Sequence, residues 1–192
     1  GNLTKQLQWI AGTATAETDN TYNSYGLISQ TKDPRNNATN YSYDSYNLYP
    51  ATTTDALGYN STALYDYSAG KPKQTTNENG IVYKTIFDGL DRAIEQDESD
   101  PLSATSSVPK TTFVYSDDTI PRSVKETDYL NSSTSTVSYT YLDGLVRTVQ
   151  HLTEAEGNHT YAATTNTYDQ RGPLHSESLP YFVTTSSYTG TS

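Results

Sequence analysis

The chain is 192 residues long, carries a net charge of −10 and is only 33% hydrophobic. That charge argues against nucleic acid, whose binding rests on Lys and Arg neutralising phosphates, and against anionic membrane surfaces. No apolar run approaches the ~20 residues of a transmembrane helix, so no membrane insertion is expected. The absence of cysteine removes disulfides, thiolate catalysis and zinc–thiolate sites.

What apolar character remains is concentrated in 18 tyrosines, against three Phe and one Trp, and 32 Thr and 21 Ser surround them. Disordered chains are poor in aromatic and β-branched residues, whereas Tyr, Thr, Val and Ile suit a pleated, half-buried surface. A tyrosine ring can pack on a sheet while its hydroxyl stays hydrated or hydrogen-bonded. The composition therefore predicts an all-β protein whose inner faces are filled by tyrosine.

The chain opens Gly1-Asn2-Leu3-Thr4, without Met or a signal-peptide pattern, which reads as a processed or internal segment. Leu3, Leu7 and Ile10 fall at helical spacing, but the stretch is short and runs into Thr13-Ala14-Thr15-Ala16, so strand is expected. From there an element recurs: an aromatic, then Asp, a turn and a short apolar pair. Its copies are Tyr22-Asn23, Tyr43-Asp44, Tyr65-Asp66, Phe87-Asp88, Tyr115-Ser116, Leu142-Asp143 and Tyr168-Asp169, at spacings of 21, 22, 22, 28, 27 and 26 residues. The Asp carboxylate can accept backbone amides two residues on. A strand such as Leu27 to Thr31 follows, then a second turn at Asp33-Pro34-Arg35-Asn36-Asn37. The return strand places Tyr41 and Tyr43 on one face by its period of two. Each repeat is one hairpin, and consecutive hairpins should pair into one antiparallel sheet, with the extra residues of the longer repeats in polar loops near 97–110, 130–136 and 154–159. No linker divides residues 1–192, which read as a single segment of about seven hairpins within a larger protein or assembly.

The run Asp33-Pro34-Arg35-Asn36-Asn37-Ala38-Thr39-Asn40-Tyr41-Ser42-Tyr43-Asp44 resembles the YD-repeat signature of the RHS/YD-repeat family. Phe87-Asp88-Gly89-Leu90-Asp91-Arg92 and Leu142-Asp143-Gly144-Leu145-Val146-Arg147 resemble its second element. Asn36 stands where Gly is usual, Ser116 replaces an Asp and Leu142 a Tyr. The resemblance implies a β-sheet strip that spirals into a shell, as in bacterial polymorphic and insecticidal toxins, where the shell encapsulates an effector domain, or a teneurin-like barrel. The autoproteolytic aspartate segment of such shells is not recognisable; Asp100-Pro101-Leu102 has the dipeptide without its surroundings.

Catalytic chemistry finds no foothold. His151, His159 and His175 show no HExxH pairing, and no nucleophile elbow or phosphate-binding glycine loop occurs. The acidic stretches Asp97-Glu98-Ser99-Asp100 and Asp117-Asp118 lack calcium-loop spacing. No catalytic residue, metal or cofactor is expected. Tyr22, Tyr43, Asp44, Tyr65, Asp66, Phe87, Asp88, Asp143, Tyr168 and Asp169 are expected to be structural. Asn2, Asn37, Asn40, Asn60, Asn131 and Asn158 head sequons, which makes them candidate glycosylation acceptors in an exported chain. The sequence thus predicts a secreted or cell-surface structural scaffold, a slice of a YD-repeat shell or fibre. Its partners would be flanking repeats, identical subunits or an enclosed effector domain. The alternative is an adhesin that holds carbohydrate on exposed tyrosines.

Overall fold

The computed structural model describes residues 1–99, 109–156 and 160–190. They form sixteen strands, and no helix occurs among the described residues. The chain divides into two compact units, Gly1–Thr85 with Glu98–Ser106 and Ile86–Asp97 with Ser107–Ser192. The first unit is built from β1 (Lys5–Ala11), β2 (Ala14–Tyr22), β3 (Ile28–Lys32), β4 (Ala38–Tyr43), β5 (Pro50–Thr54), β6 (Asn60–Asp66), β7 (Lys71–Thr76) and most of β8 (Val82–Phe87). The second carries most of β9 (Ala93–Ser99), then β10 (Thr111–Ser116), β11 (Arg122–Asn131), β12 (Thr134–Leu142), β13 (Thr148–Glu154), β14 (Tyr161–Tyr168), β15 (Leu174–Glu177) and β16 (Tyr181–Val183).

Within each unit the strands pair antiparallel with their neighbours in sequence, except β16, which pairs with β14. The Leu3-to-Ile10 stretch is strand from Lys5 on, paired with β2 in the register Leu7↔Glu17. Residues 130–136 depart from the expected polar loop. They extend β11 and β12 to Asn131↔Thr134, across a register shift between Tyr129 and Asn131, leaving only Ser132 and Ser133 to turn. The extra length of that repeat went into ladder hydrogen bonds, which satisfy the backbone better than an open loop would. The segment around Asp100-Pro101 and the tip at 157–159 lie outside the described residues.

The expected tyrosine-filled interior is only partly realised. The fully packed core is small and lies in the second unit: Tyr141, Leu152, Tyr161 and Ala163, with Tyr139, Val149, Val183 and Tyr188 against it. Most other tyrosines are half-buried or exposed, Tyr25 and Tyr46 among the latter. Tyr25 and Tyr46 themselves lie in turns.

Candidate functional site

The repeat motif generates one turn again and again. At Asn23, Asp33, Asp55, Asn77, Asp88, Asp143 and Asp169 the residue's own N–H donates to the carbonyl four residues on, at 2.8–3.0 Å. The residue three on donates back to the Asx carbonyl, at 2.9–3.2 Å. The Oδ1 atom then accepts the amides two and four residues ahead: from Leu90 and Arg92 at Asp88 (2.9 and 3.0 Å), and from Leu145 and Arg147 at Asp143 (2.9 and 3.0 Å). Asp169 takes only Arg171, because residue 173 is proline. The third residue after the Asx has positive φ, which Gly26, Gly58, Gly80 and Gly172 adopt freely and Asn36, Asn47, Asp91 and Val146 do not. Asp44 and Asp66 make looser versions, with Asp44 accepting Leu48 N–H at 2.9 Å and Asp66 accepting Ser68 N–H at 2.9 Å.

These bonds bind the ionised carboxylate. The Arg92 backbone amide, aided by its guanidinium, holds Asp88 below the ordinary aspartate value. At Asp143 partial burial pulls upward but is outweighed by the Arg147 amide and guanidinium. The Asn37 side chain and amide do the same for Asp33.

The aromatic partner couples one repeat to the one before it. Tyr43 Oη donates to Ile28 carbonyl at 2.9 Å, Tyr115 to Ala93 at 2.9 Å and Tyr168 to Thr148 at 2.8 Å, in each case the first residue of the strand that leaves the preceding turn. Tyr65 reaches Pro50 at 3.4 Å, and Tyr22 reaches Leu3 at 2.7 Å. Phe87 holds the same sequence position without a hydroxyl to donate.

Two turns add an arginine. Arg92 Nε and Nη2 both meet Asp88 Oδ2 at 2.8 Å, Nη1 meets Asp117 Oδ2 at 2.7 Å, and the guanidinium carbon lies 4.0 Å from the Tyr115 ring centre. Arg147 repeats this on Asp143 (2.8 and 2.7 Å) and lies 4.3 Å from the Tyr168 ring. An arginine whose Nε and Nη2 share one carboxylate oxygen and whose guanidinium lies over a ring ties its own turn to the next repeat's tyrosine. Asp117 takes the outer nitrogen of Arg92, where Arg147 Nη1 instead reaches the Gly172 carbonyl at 3.4 Å.

Three features escaped the sequence reading. Turn-forming Asx residues recur every 11 residues, at Asp33, Asp44, Asp55, Asp66, Asn77 and Asp88. That half-period was legible, but the turns on the far edge lack an aromatic. The tyrosine hydroxyl ladder and the arginine stacking had no signal beyond the motif itself. Of the sequon residues, Asn2, Asn37, Asn40, Asn60 and Asn131 are exposed, and Asn158 lies outside the described residues. His151 meets the hydroxyls of Thr140 and Thr153, each at 3.1 Å.

This arrangement, hairpins in chain order locked by tyrosine and aspartate turns, is a YD-repeat fold. No protein-family model and no curated protein matches the chain. Among solved structures, the chain is similar to a TcdB2-TccC3 crystal structure at a TM-score of 0.73 and 16% identity, covering 94% of this chain and 12% of that one. It is likewise similar to TcdB2-TccC3-Cdc42 (TM-score 0.72, 14% identity, 95% and 14% covered). TcdB2-TccC3 without its hypervariable C-terminal region gives 0.72 at 13% identity, with 94% and 14% covered. The chain therefore spans roughly an eighth of the structures it resembles, and at this identity the likeness establishes the fold.

Proposed function

We propose that the chain is a non-catalytic scaffold: a run of about seven hairpin repeats in the wall of a secreted or cell-surface YD-repeat assembly, continued by flanking repeats. The observation that carries this reading is where the motif's chemistry goes. The carboxylates accept their own turn's amides, the tyrosine hydroxyls donate to the preceding repeat, and the arginines join the two. These groups are spent on holding the turns together, and a repeat so linked gains stability from its neighbours. The likeness to toxin-complex structures supports a shell role, with an enclosed effector polypeptide as partner. The test is protease protection in the natural full-length protein. An enclosed polypeptide should resist digestion until the wall is breached by unfolding, and immediate digestion of everything outside the repeats would overturn the shell reading.

A second reading, a carbohydrate-binding surface, has one observation in its favour. Tyr46, Tyr49, Tyr65 and Tyr67 cluster on one edge of the first unit, Tyr49 stacked on Tyr65 at 4.4 Å and Tyr46 edge-on to Tyr67 at 5.2 Å. Tyr46 and Tyr67 are exposed. Saturation transfer from these rings to a neutral methyl glycoside would support it, and none across glucosides, galactosides and mannosides would remove it.

A further inference from the structure

The second unit covers one face of its own sheet with its own chain. After β16, residues 184–190 cross β12 to β14. The Tyr141 hydroxyl donates to the Ser186 carbonyl, and the Tyr188 ring lies 5.6 Å from that of Tyr141. Gln150, fully buried, holds the strap at both ends of its amide: Oε1 accepts Thr189 N–H at 2.9 Å, while Nε2 donates to Thr189 Oγ1 at 2.8 Å and to the Tyr181 hydroxyl at 2.9 Å. All four buried core residues lie beneath or beside this strap on the same sheet face, as their register partners Tyr141↔Gln150, Leu152↔Ala163 and Tyr161↔Val183 require.

Gln150 occupies a defined place in the repeat. It pairs with Tyr141, directly before the register shift between Tyr141 and Leu142, and on its other side with Thr165. In the first unit, Gln30 pairs with Thr21, directly before the shift between Thr21 and Tyr22, and with Asn40. Gln74 pairs with Leu64, directly before the shift between Leu64 and Tyr65, and with Lys84. Even the lateral bond recurs: Gln150 Nε2 reaches Thr165 Oγ1 at 3.4 Å and Gln30 Nε2 reaches Asn40 Oδ1 at 2.8 Å. Yet Gln30 and Gln74 are only half-buried. Gln74 has no side-chain hydrogen-bond partner among the described residues, and Leu64 opposite it is exposed.

We propose that the Gln30 and Gln74 face of the first unit is a docking surface for an extended, uncharged, hydroxyl-bearing polypeptide segment. Its chemistry is that of the strap Thr184-Thr185-Ser186-Ser187-Tyr188-Thr189-Gly190, which has no charged residue. A glutamine amide offers an acceptor and two donors in a fixed plane. It therefore reads a main-chain N–H beside a hydroxyl, the pair Thr189 presents to Gln150. Around Gln30 and Gln74 the same face carries Thr52, Thr62 and Thr76, which match a neutral hydroxyl-rich strand, while Lys84 beside Gln74 and Lys32 two residues from Gln30 disfavour a basic one.

The test uses the full chain labelled with ¹⁵N-glutamine, whose seven glutamines give separate side-chain amide signals. The probe is the synthetic heptapeptide Thr-Thr-Ser-Ser-Tyr-Thr-Gly. Titration should shift the Gln30 and Gln74 signals saturably and leave Gln150 unmoved under its own strap. Gln74→Ala should weaken the Gln30 response several-fold. Gln74→Glu, which keeps the size, should do the same if the alanine variant folds poorly. Three outcomes would overturn the proposal: no shift at Gln30 and Gln74, movement confined to Gln150 (the peptide merely replacing the strap), or an equal response to a heptapeptide with Lys at its two central serines.

Discussion

Val146 is the most strained position of the repeat turns, and relieving it tests whether the turn geometry has been understood. It sits at φ 63°, where the equivalent turns carry Gly26, Gly58, Gly80 or Gly172. A β-branched side chain there is a true outlier, and the left-handed region costs an L-residue about 1–2 kcal/mol. Val146 is 61% exposed, so truncating it forfeits little burial. Glycine adds back roughly 0.5–1 kcal/mol of unfolded-state entropy. Val146→Gly should therefore stabilise by about 0.5–1 kcal/mol, which for a chain of this size raises the melting temperature by about 1–4 °C. Urea denaturation followed by far-ultraviolet circular dichroism reads the change, with an unchanged m-value as the sign that stability alone moved. Gly144, with open space around its missing Cβ and no positive φ, is the control: Gly144→Ala should cost nothing comparable. If Val146→Gly destabilises, the strain argument and the turn assignment behind it fail.

Tyr168→Phe removes one hydroxyl donated to Thr148 carbonyl and should cost about 0.5–1.5 kcal/mol in the same denaturation assay, with secondary structure intact. Leu152→Ala empties a fully buried site and should cost about 2–5 kcal/mol, whereas Leu57→Ala on the exposed surface should be near neutral. The carboxyls of Asp88 and Asp143 are held below their usual 3.8, so the unfolded chain takes up protons at higher pH than the folded one. Their stabilisation is complete above 3.8 and is lost as the pH falls through the depressed folded value; a melting series in Asp143→Asn should show a shallower loss in that window.

The β class was written in tyrosine and threonine, and the 21-to-28-residue spacing located the aromatic turns, because an aromatic followed by Asx is a local signal with a local cause. Asp55 and Asn77 were passed over since Thr54 and Thr76 precede them, although they form the same amide-capped turn. Tyr115-Ser116 is a copy of the motif weakened by the missing Asp. Its tyrosine still bonds the preceding repeat, and Asp117 one residue on takes the arginine. The strap was illegible for a different reason. Burial of Gln150 depends on a segment 39 residues away folding back, and nothing in a polar, hydroxyl-rich tail announces that contact. Only the folded chain shows a fully buried amide holding the tail over the core.

The central claim is that this chain is wall and not a free-standing module, and electron cryomicroscopy of the natural full-length protein tests it most directly. The account predicts density for these hairpins continuing into further repeats at their edge strands, within a closed or fibrous β-sheet wall. A separate globular body, tethered outside any such wall and with its edge strands facing solvent, would contradict it.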